Sequence, residues 1–361
     1  MVLMLVCIST VRAMAQAPAL LQQGAELERS LSGGAAHEYQ ISLLAGQFLY
    51  AVVDQEGVDV AVTLFAPNGQ RLAIVDSMNE EYGPEPLVAI AETSGFYRIV
   101  VASENKDSPP GRYKIRIAEL HTPRPGDPEH IAAERDIERA RELKSTRDGK
   151  DWDAAIAKLQ EALPYYEAGG IQDTYRHGLV LFSIGYLQAQ KSRARESIAA
   201  YLASLPLFRA SGDTIMEART LNNLGGEYHD LGEPLKATQY HQDALSMLPA
   251  GHASKLHAAA QNNLGVLYEE MGSWTAALDI YERAASVFGS QSNWREQAIA
   301  WSNLAKVYRE MNEPDQSLRY LEQALQLLVG LLRQPLKLWV DEFRPFQRPC
   351  GRALGSLLFK R

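Results

Sequence analysis

The hydrophobic pattern divides the chain into a strand-like part and a helical part. Between residues 24 and 121, apolar and polar residues alternate, or run apolar, over strand lengths. The stretches are Ala36–Leu44, Gln47–Gln55, Val58–Phe65, Arg71–Val75, Leu87–Ala91, Phe96–Ala102 and Arg112–Ala118. Turn residues such as Pro67-Asn68-Gly69 separate them. Seven or eight short strands at this spacing predict an antiparallel β-sandwich or jelly roll over residues 24–121.

A proline-rich linker at residues 122–128 ends the strand-like part. Pro123, Pro125 and Pro128 lie close together, so neither a strand nor a helix can run through all of them. Asp127 is predicted to be the N-cap of the first helix, with Pro128 at the first helical position.

A fixed repeat runs through the helical part, residues 129–329. Leu224, Leu264 and Leu304 each begin a Leu-(Gly or Ala)-x-x-Tyr segment, at intervals of 40 residues. A second helix follows each segment, as in Ala277-x-x-x-Tyr281-x-x-Ala284. Small residues let the two helices of a unit approach closely, and each pair buries its apolar face only by stacking on the next pair. Four or five such units predict an all-α superhelix after the sandwich.

These units resemble tetratricopeptide repeats of the longer kinesin-light-chain type, through the Asn-Asn-Leu-Gly segments at residues 222–225 and 262–265. The resemblance implies an inner face that binds an extended peptide, with Asn223, Asn263 and Asn303 at one position of that face. Further residues expected to face the same groove are Asn222, Asn262, Arg219, His229, Glu269, Glu270, Lys306 and Arg309.

Two interpretations of the asparagines remain open. Their amides can pair with the backbone of a bound peptide, or they can bond neighbouring helices and fix the spacing of the repeats. Tyr228, Tyr268 and Tyr308 are predicted to be core residues rather than an aromatic cage for a ligand.

A second resemblance concerns the strand-like part. Gly95-Phe96-Tyr97 and Gly111-Arg112-Tyr113 start two strands in the same way, which resembles the pre-peptidase C-terminal-like β-sandwich domains of exported bacterial proteins. A β-sandwich followed by these repeats is similar to the front part of bacterial CHAT-peptidase proteins, in which a caspase-like domain comes next. That resemblance gives an alternative interpretation, in which the chain is the truncated or split recognition half of a CHAT protease.

Composition and motifs exclude several kinds of function. The net charge of −8 argues against nucleic acid or an anionic membrane as the main partner. Cys7 and Cys350 alone cannot build a zinc ribbon, an iron–sulfur cluster or a disulfide framework. No His-x-x-x-His pair, phosphate-binding loop or Gly-x-Ser-x-Gly occurs, and the Ser-x-x-Lys at Ser103–Lys106 lacks its partner motifs. We therefore expect no enzyme activity and no cofactor, and a protein or peptide as the partner.

The two ends of the chain carry their own expectations. The apolar start and the Ala13-Met14-Ala15 segment predict a signal peptide at residues 1–17 and export to the periplasm or beyond; otherwise the protein is cytoplasmic. The apolar run is too short to span a bilayer. Residues 330–361 hold seven basic and two acidic residues with three prolines, which favours an unstructured tail. An array ending there would expose the apolar face of its last unit and self-associate.

Overall fold

A computed structural model of the chain describes residues 18–77, 79, 81–103, 106, 110–145, 149–168, 174–248, 255–290 and 293–332. The predicted signal peptide, both cysteines and all of the predicted tail after residue 332 lie outside these residues. The chain forms two compact units. The first comprises the residues up to Ser192 together with Pro206–Asp213, and the second comprises Arg193–Leu205 and the residues from Thr214 onward.

The strands of the first unit form two sheets. Within the described residues there are nine strands: β1 Ala19–Leu20, β2 Glu26–Leu31, β3 Ala36–Leu43, β4 Phe48–Glu56, β5 Ala61–Phe65, β6 Arg71–Val75, β7 Tyr82–Ile90, β8 Gly95–Ala102 and β9 Gly111–His121. Their order is β1-β3-β8-β5-β6 in one sheet and β2-β9-β4-β7 in the other. The pairs are antiparallel except for the two-residue pairing of β1 with β3. The predicted antiparallel, two-sheet region is therefore confirmed.

Alternation along the strands places the core between the two sheets. On β8, Tyr97, Ile99 and Val101 point inward and are fully buried. Residues of both sheets share one apolar cluster with them. Two tyrosines bridge the sheets inside this core, since the hydroxyl oxygens of Tyr39 on β3 and Tyr113 on β9 lie 2.5 Å apart. Each buried hydroxyl thereby finds a polar partner, as burial requires.

Three helices follow the strands in the first unit: α1 Asp127–Lys144, α2 Trp152–Ala168 and α3 Thr174–Gln190. The helix α1 begins one residue earlier than predicted. Gly126 in a left-handed conformation (φ 100°) is the N-cap, and Asp127 is the first helical residue. Asp127 Oδ2 instead accepts a hydrogen bond of 2.7 Å from the backbone N–H of Arg124, so its side chain stabilises the linker. Pro128 is therefore the second helical residue rather than the first, and it still lies in the first turn, where its missing N–H costs no helical hydrogen bond.

The second unit is built of helix pairs. The helix α4, Ala194–Ser211, begins in this unit, and the remaining helices are α5 Thr214–Asp230, α6 Pro234–Met247, α7 Lys255–Glu270, α8 Trp274–Ser290, α9 Trp294–Glu310 and α10 Pro314–Leu332. The close pairs are α5 with α6, α7 with α8, and α9 with α10. A left-handed residue ends each first helix at the same repeat position, namely Gly232, Gly272 and Asn312. The predicted all-α array of helix pairs is thus confirmed.

Glycines set how closely the helices of a pair approach. A Cβ atom on Gly225 of α5 would lie 2.6 Å from the His241 ring of α6. A Cβ atom on Gly265 of α7 would likewise lie 2.6 Å from the Tyr281 ring of α8. Carbon atoms do not approach this closely, so only glycine allows the buried ring of the second helix to pack there.

The repeat tyrosines lie at the edge of the core, which corrects the prediction that they are core residues. Tyr228, Tyr268 and Tyr308 are only partly buried. Tyr228 stacks on Tyr240 with ring centroids 5.2 Å apart, and Tyr308 stacks on the equivalent residue of α10 at 5.6 Å. In the first two of these repeats, Gly225 and Gly265 one turn earlier admit the His241 and Tyr281 rings of the second helix, and those rings occupy the centre instead.

Candidate functional site

The asparagines of the first helices form a connected row, which we call the asparagine row (Asn222, Asn223, Asn262, Asn263 and Asn303). The helices α5, α7 and α9 lie side by side, so the row crosses three neighbouring helices. Asn263 Nδ2 donates a hydrogen bond of 3.3 Å to Asn222 Oδ1, and Asn303 Nδ2 donates one of 3.0 Å to Asn262 Oδ1. Each amide therefore bonds the repeat before it.

The first member of the row bonds a tyrosine instead. Asn223 Nδ2 donates a hydrogen bond of 3.2 Å to the hydroxyl oxygen of Tyr201 on α4. Asn223, Asn263 and Asn303 are all half-buried. An amide group offers two N–H donors and a carbonyl with two lone pairs, so one such bond leaves further groups for a ligand. The row bonds its own neighbours, and it also keeps the hydrogen-bonding capacity that the peptide-binding prediction needs.

A buried histidine supports the row from behind, and sequence analysis missed it. His241 of α6 is 1% exposed, and its Nδ1–H donates a hydrogen bond of 2.9 Å to Asn222 Oδ1. Burial lowers the pKa of His241 to about 4, helped by the positive charge of His229. The ring is therefore neutral at pH 7 with its proton on Nδ1, and it orients the Asn222 carbonyl. The 40-residue repeat could have indicated that His241 is a buried ring, since Tyr201 and Tyr281 occupy the equivalent positions.

The charged residues predicted for the groove pair across the repeats. His229 Nε2–H on α5 donates a hydrogen bond of 2.8 Å to Glu270 Oε2 on α7. Lys306 Nζ on α9 forms an ion pair with Glu269 Oε1 on α7. Glu269 is itself buried, and its other oxygen lies 3.4 Å from the Tyr281 hydroxyl that donates to it. Like the asparagine row, these pairs connect α5 to α7 and α7 to α9.

The two remaining groove candidates are arginines with different surroundings. Arg309 near the end of α9 is exposed and forms an ion pair of 3.1 Å with its neighbour Glu310. Arg219 on α5 is half-buried and precedes Asn222 and Asn223 by one helical turn. Both arginines lie on the first helices of their repeats, and their place in a peptide-binding groove stays a prediction.

A buried carboxyl on α5 is a second feature that sequence analysis missed. Glu227 is 9% exposed and occupies the position of Leu267 and Val307 in the next two repeats. Burial raises the pKa of Glu227 to about 7, and the negative charge of Asp230 adds to the effect. A carboxyl in a leucine position is therefore partly protonated near neutral pH.

In the part of the chain that the structure describes, no group of three or more His, Cys, Asp or Glu side chains is arranged to hold a metal ion. Among the same residues, no helix has both the length and the apolar character that a membrane span requires.

The second unit thus defines a helical repeat protein whose first helices present a polar row. Family comparison places this array: residues 218–248 and 256–328 match models of the tetratricopeptide repeat. These segments of the chain are tetratricopeptide repeats. No curated protein sequence matches the chain.

Solved structures with the same arrangement are distant in sequence. The repeats are similar to a signal transduction ATPase with a tetratricopeptide repeat sensor from Pyrococcus horikoshii, at 16% identity over 57% of this chain and 31% of that one, with a TM-score of 0.50. They are also similar to aspartyl phosphate phosphatase F from Bacillus subtilis, at 13% identity over 57% and 53% of the two chains, with a TM-score of 0.50. Nearly identical TPR-like repeats of the kinesin light chain type from Podosopora anserina give 13% identity over 57% and 98%, with a TM-score of 0.47. At these identities the likeness shows the fold alone, and the kinship with CHAT-peptidase proteins stays a prediction.

Proposed function

We propose that the protein is a non-catalytic interaction scaffold that binds an extended peptide, or an extended segment of a partner protein, along the asparagine row. The observation that supports this most directly is the row itself. Half-buried amides recur on α5, α7 and α9, and each keeps donors or acceptors beyond its bond to the preceding repeat. An extended backbone presents alternating N–H and C=O groups that such amides can pair with.

The rigidity of the row supports binding rather than opposing it. The bond from His241 fixes the Asn222 carbonyl, and the bonds between Asn263 and Asn222 and between Asn303 and Asn262 fix the amides. A ligand that meets groups already held in place loses less side-chain entropy on binding. Both interpretations of the asparagines can therefore hold together, with spacing and recognition performed by the same side chains.

The flanking charges give the groove a means of selection. The pairs of His229 with Glu270 and of Lys306 with Glu269 lie on the same three helices as the row. Each pair joins a basic side chain to a carboxylate, so groups of both kinds flank this stretch. We infer that charged side chains of the partner exchange for one member of a pair, which gives specificity more than affinity.

The experiment is a peptide-library binding assay with the full chain, followed by variants of the row. Asn303→Ala and Asn263→Ala should each weaken the selected peptide by about fivefold to tenfold, the equivalent of roughly 1–1.5 kcal/mol for a lost hydrogen bond. Gln316→Ala, on an exposed position of α10, is the matched control and should bind as the unchanged protein does. Melting temperatures of all variants separate a binding loss from a folding loss.

Equal affinity in all three variants would contradict the proposal. So would a loss of affinity that follows the loss of melting temperature, because the asparagines would then only hold the repeats together.

A further inference from the structure

Three exposed apolar side chains recur at one position of the repeat, and we call them the apolar turn row (Leu231, Met271 and Met311). Each follows the last residue of a first helix, at intervals of 40 residues. They are 40%, 38% and 39% exposed. Apolar residues that are exposed singly need no explanation, whereas a repeated row of them offers a surface on which another molecule can bury apolar area.

The same backbone turn holds each member of the apolar turn row. In all three turns, the N–H two residues after the row member donates to the carbonyl three residues before it. These bonds are 2.8 to 2.9 Å long and join Glu233 to Tyr228, Ser273 to Tyr268 and Glu313 to Tyr308. With the left-handed residue between the helices, this bond forms the Schellman motif that ends many helices. Because the motif is repeated, the three side chains leave the array at equivalent places.

Neighbouring members of the row lie about one helix spacing apart. The bond from His229 to Glu270 joins the ends of α5 and α7, and the ion pair of Lys306 with Glu269 joins α7 and α9. The axes of packed helices lie roughly 8–10 Å apart. In a polyproline II chain, side chains on one face recur every third residue, about 9.3 Å apart, whereas in a strand they recur every second residue, about 6.6 Å apart. A polyproline II segment with an apolar side chain at every third residue therefore matches the row.

The charges beside the row favour a cationic ligand. The residue before each row member is acidic, and the side chains of these residues, Asp230, Glu270 and Glu310, are 75%, 49% and 44% exposed. Each is the last residue of its helix, where the negative end of the helix dipole makes a carboxylate unfavourable and a nearby cation favourable. In the eight-residue segments that begin at residues 229, 269 and 309, seven residues are acidic and two are Lys or Arg. Although Glu270 pairs with His229 and Glu310 with Arg309, an excess of negative charge remains.

We propose that the apolar turn row binds a basic segment of a partner protein in the polyproline II conformation, with an apolar side chain at every third residue and Lys or Arg between them. Two members of the row are methionines, whose flexible side chains adapt to apolar residues of different shape. The surface is separate from the asparagine row, because Leu231 follows Asn223 by eight residues, or about 12 Å along the helix axis. The repeats therefore carry a second docking surface besides the asparagine row.

The test is fluorescence anisotropy with the full chain and a labelled peptide of three Leu-Lys-Pro units, in which proline favours the polyproline II conformation. Leu231→Gln should weaken binding by about fivefold or more, because it removes apolar area from the row. Leu202→Gln is the matched control, since Leu202 lies on α4 outside the row and is 42% exposed; this variant should bind as the unchanged protein does. Asp230→Asn removes one charge at constant size and should weaken binding by about twofold to threefold. If Leu231→Gln lowers the melting temperature, Met311→Gln repeats the test on another turn.

Two further peptides separate charge from spacing. One carries Glu in place of each Lys, and the other has the same composition with its leucines adjacent; both should bind about tenfold more weakly than the first peptide. Binding of the first peptide should also weaken as sodium chloride rises from about 0.05 M to about 0.5 M, because salt screens exposed charges. Equal binding of the Lys and Glu peptides would mean that only apolar adhesion occurs, and equal losses in Leu231→Gln and Leu202→Gln would mean that the peptide binds elsewhere. Either result would overturn the proposal, as would an absence of binding by the first peptide.

Discussion

Arg176 of α3 and Glu134 of α1 form a buried, two-point ion pair in the first unit. Arg176 Nε donates a hydrogen bond of 2.9 Å to Glu134 Oε1, and Nη2 donates one of 2.5 Å to Oε2. Both side chains are less than 10% exposed. Tyr166 of α2 donates to the same carboxylate, and Arg176 Nη1 donates 2.7 Å to Ser77 Oγ, next to β6. One pair of charges thus connects three helices to the sandwich.

Removing only one of these charges should be costly. Arg176→Met leaves Glu134 buried without its cation, and we expect a loss of about 3–5 kcal/mol in the free energy of unfolding of the first unit. Replacing both charges, as Glu134→Leu with Arg176→Met, should recover much of that loss, because no charge then remains buried. Chemical denaturation of the two single variants and the double variant measures the coupling. A double variant as unstable as the sum of the single variants would contradict the pairing.

A second buried carboxyl in the same unit should make its stability depend on pH. Glu85 on β7 is fully buried, and its Oε2 accepts a hydrogen bond of 2.9 Å from the backbone N–H of Ser77. Burial raises the pKa of Glu85 to about 8, although the Ser77 bond and the charge of Arg176 oppose the shift and Asp76 adds to it. The unfolded chain loses this proton near the ordinary value of 4.5, whereas the folded chain keeps it.

The contribution of Glu85 to the free energy of unfolding is therefore fully present below pH 4.5, and it is lost as the pH rises through about 8. Between pH 6 and pH 9 the loss should be about 2–3 kcal/mol. Glu85→Gln keeps the shape without the titration, so the difference between the two proteins isolates this group from the histidines. Denaturation midpoints at pH 6, 7.5 and 9 check it. Parallel curves for the two proteins would show that the carboxyl does not titrate in this range.

Two adjacent glycines of α5 should respond to alanine in opposite ways. A Cβ atom on Gly225 would meet the His241 ring at 2.6 Å, whereas one on Gly226 would meet nothing within 4 Å. Gly225→Ala should therefore cost about 1–3 kcal/mol through overpacking. Gly226→Ala should stabilise the helix by about 0.5–1 kcal/mol, because glycine is a poor helix former. Thermal unfolding of the two variants compares the same substitution one residue apart, and equal shifts would refute the close packing of α5 on α6.

Sequence periodicity was enough to predict the architecture. The strand-length alternation before residue 121 and the 40-residue repeat after it each reflect one buried face per element, and burial is what a hydrophobic pattern records. The glycine positions also followed, because Gly225 and Gly265 recur where a ring from the next helix must fit.

The errors and omissions all depend on contacts between distant residues. Asp127 has the chemistry of an N-cap, but its carboxylate bonds the backbone of the preceding linker. Glu134 and Arg176 are 42 residues apart, and the sequence around each of them does not indicate that its charged side chain is buried. The bond between Asn303 and Asn262 likewise depends on the packing of α9 against α7. A repeat motif identifies which positions are equivalent, and only the fold shows which of them touch.

His241 provides a pH test of the support behind the asparagine row. Burial lowers its pKa to about 4, below the ordinary 6.5 that the unfolded chain keeps. Between these two pH values the unfolded chain binds a proton on this histidine and the folded chain does not. The free energy of unfolding therefore keeps the full contribution of His241 above pH 6.5 and loses it as the pH decreases toward 4. The expected loss is up to about 3 kcal/mol in the second unit.

His241→Tyr introduces the residue that the neighbouring repeats carry at 201 and 281, and it should remove this acid sensitivity while keeping the ring that faces Gly225. The measurement is the free energy of unfolding of both proteins at pH 5 and pH 7. If the variant loses as much stability at pH 5 as the unchanged protein does, the acid sensitivity belongs to other groups.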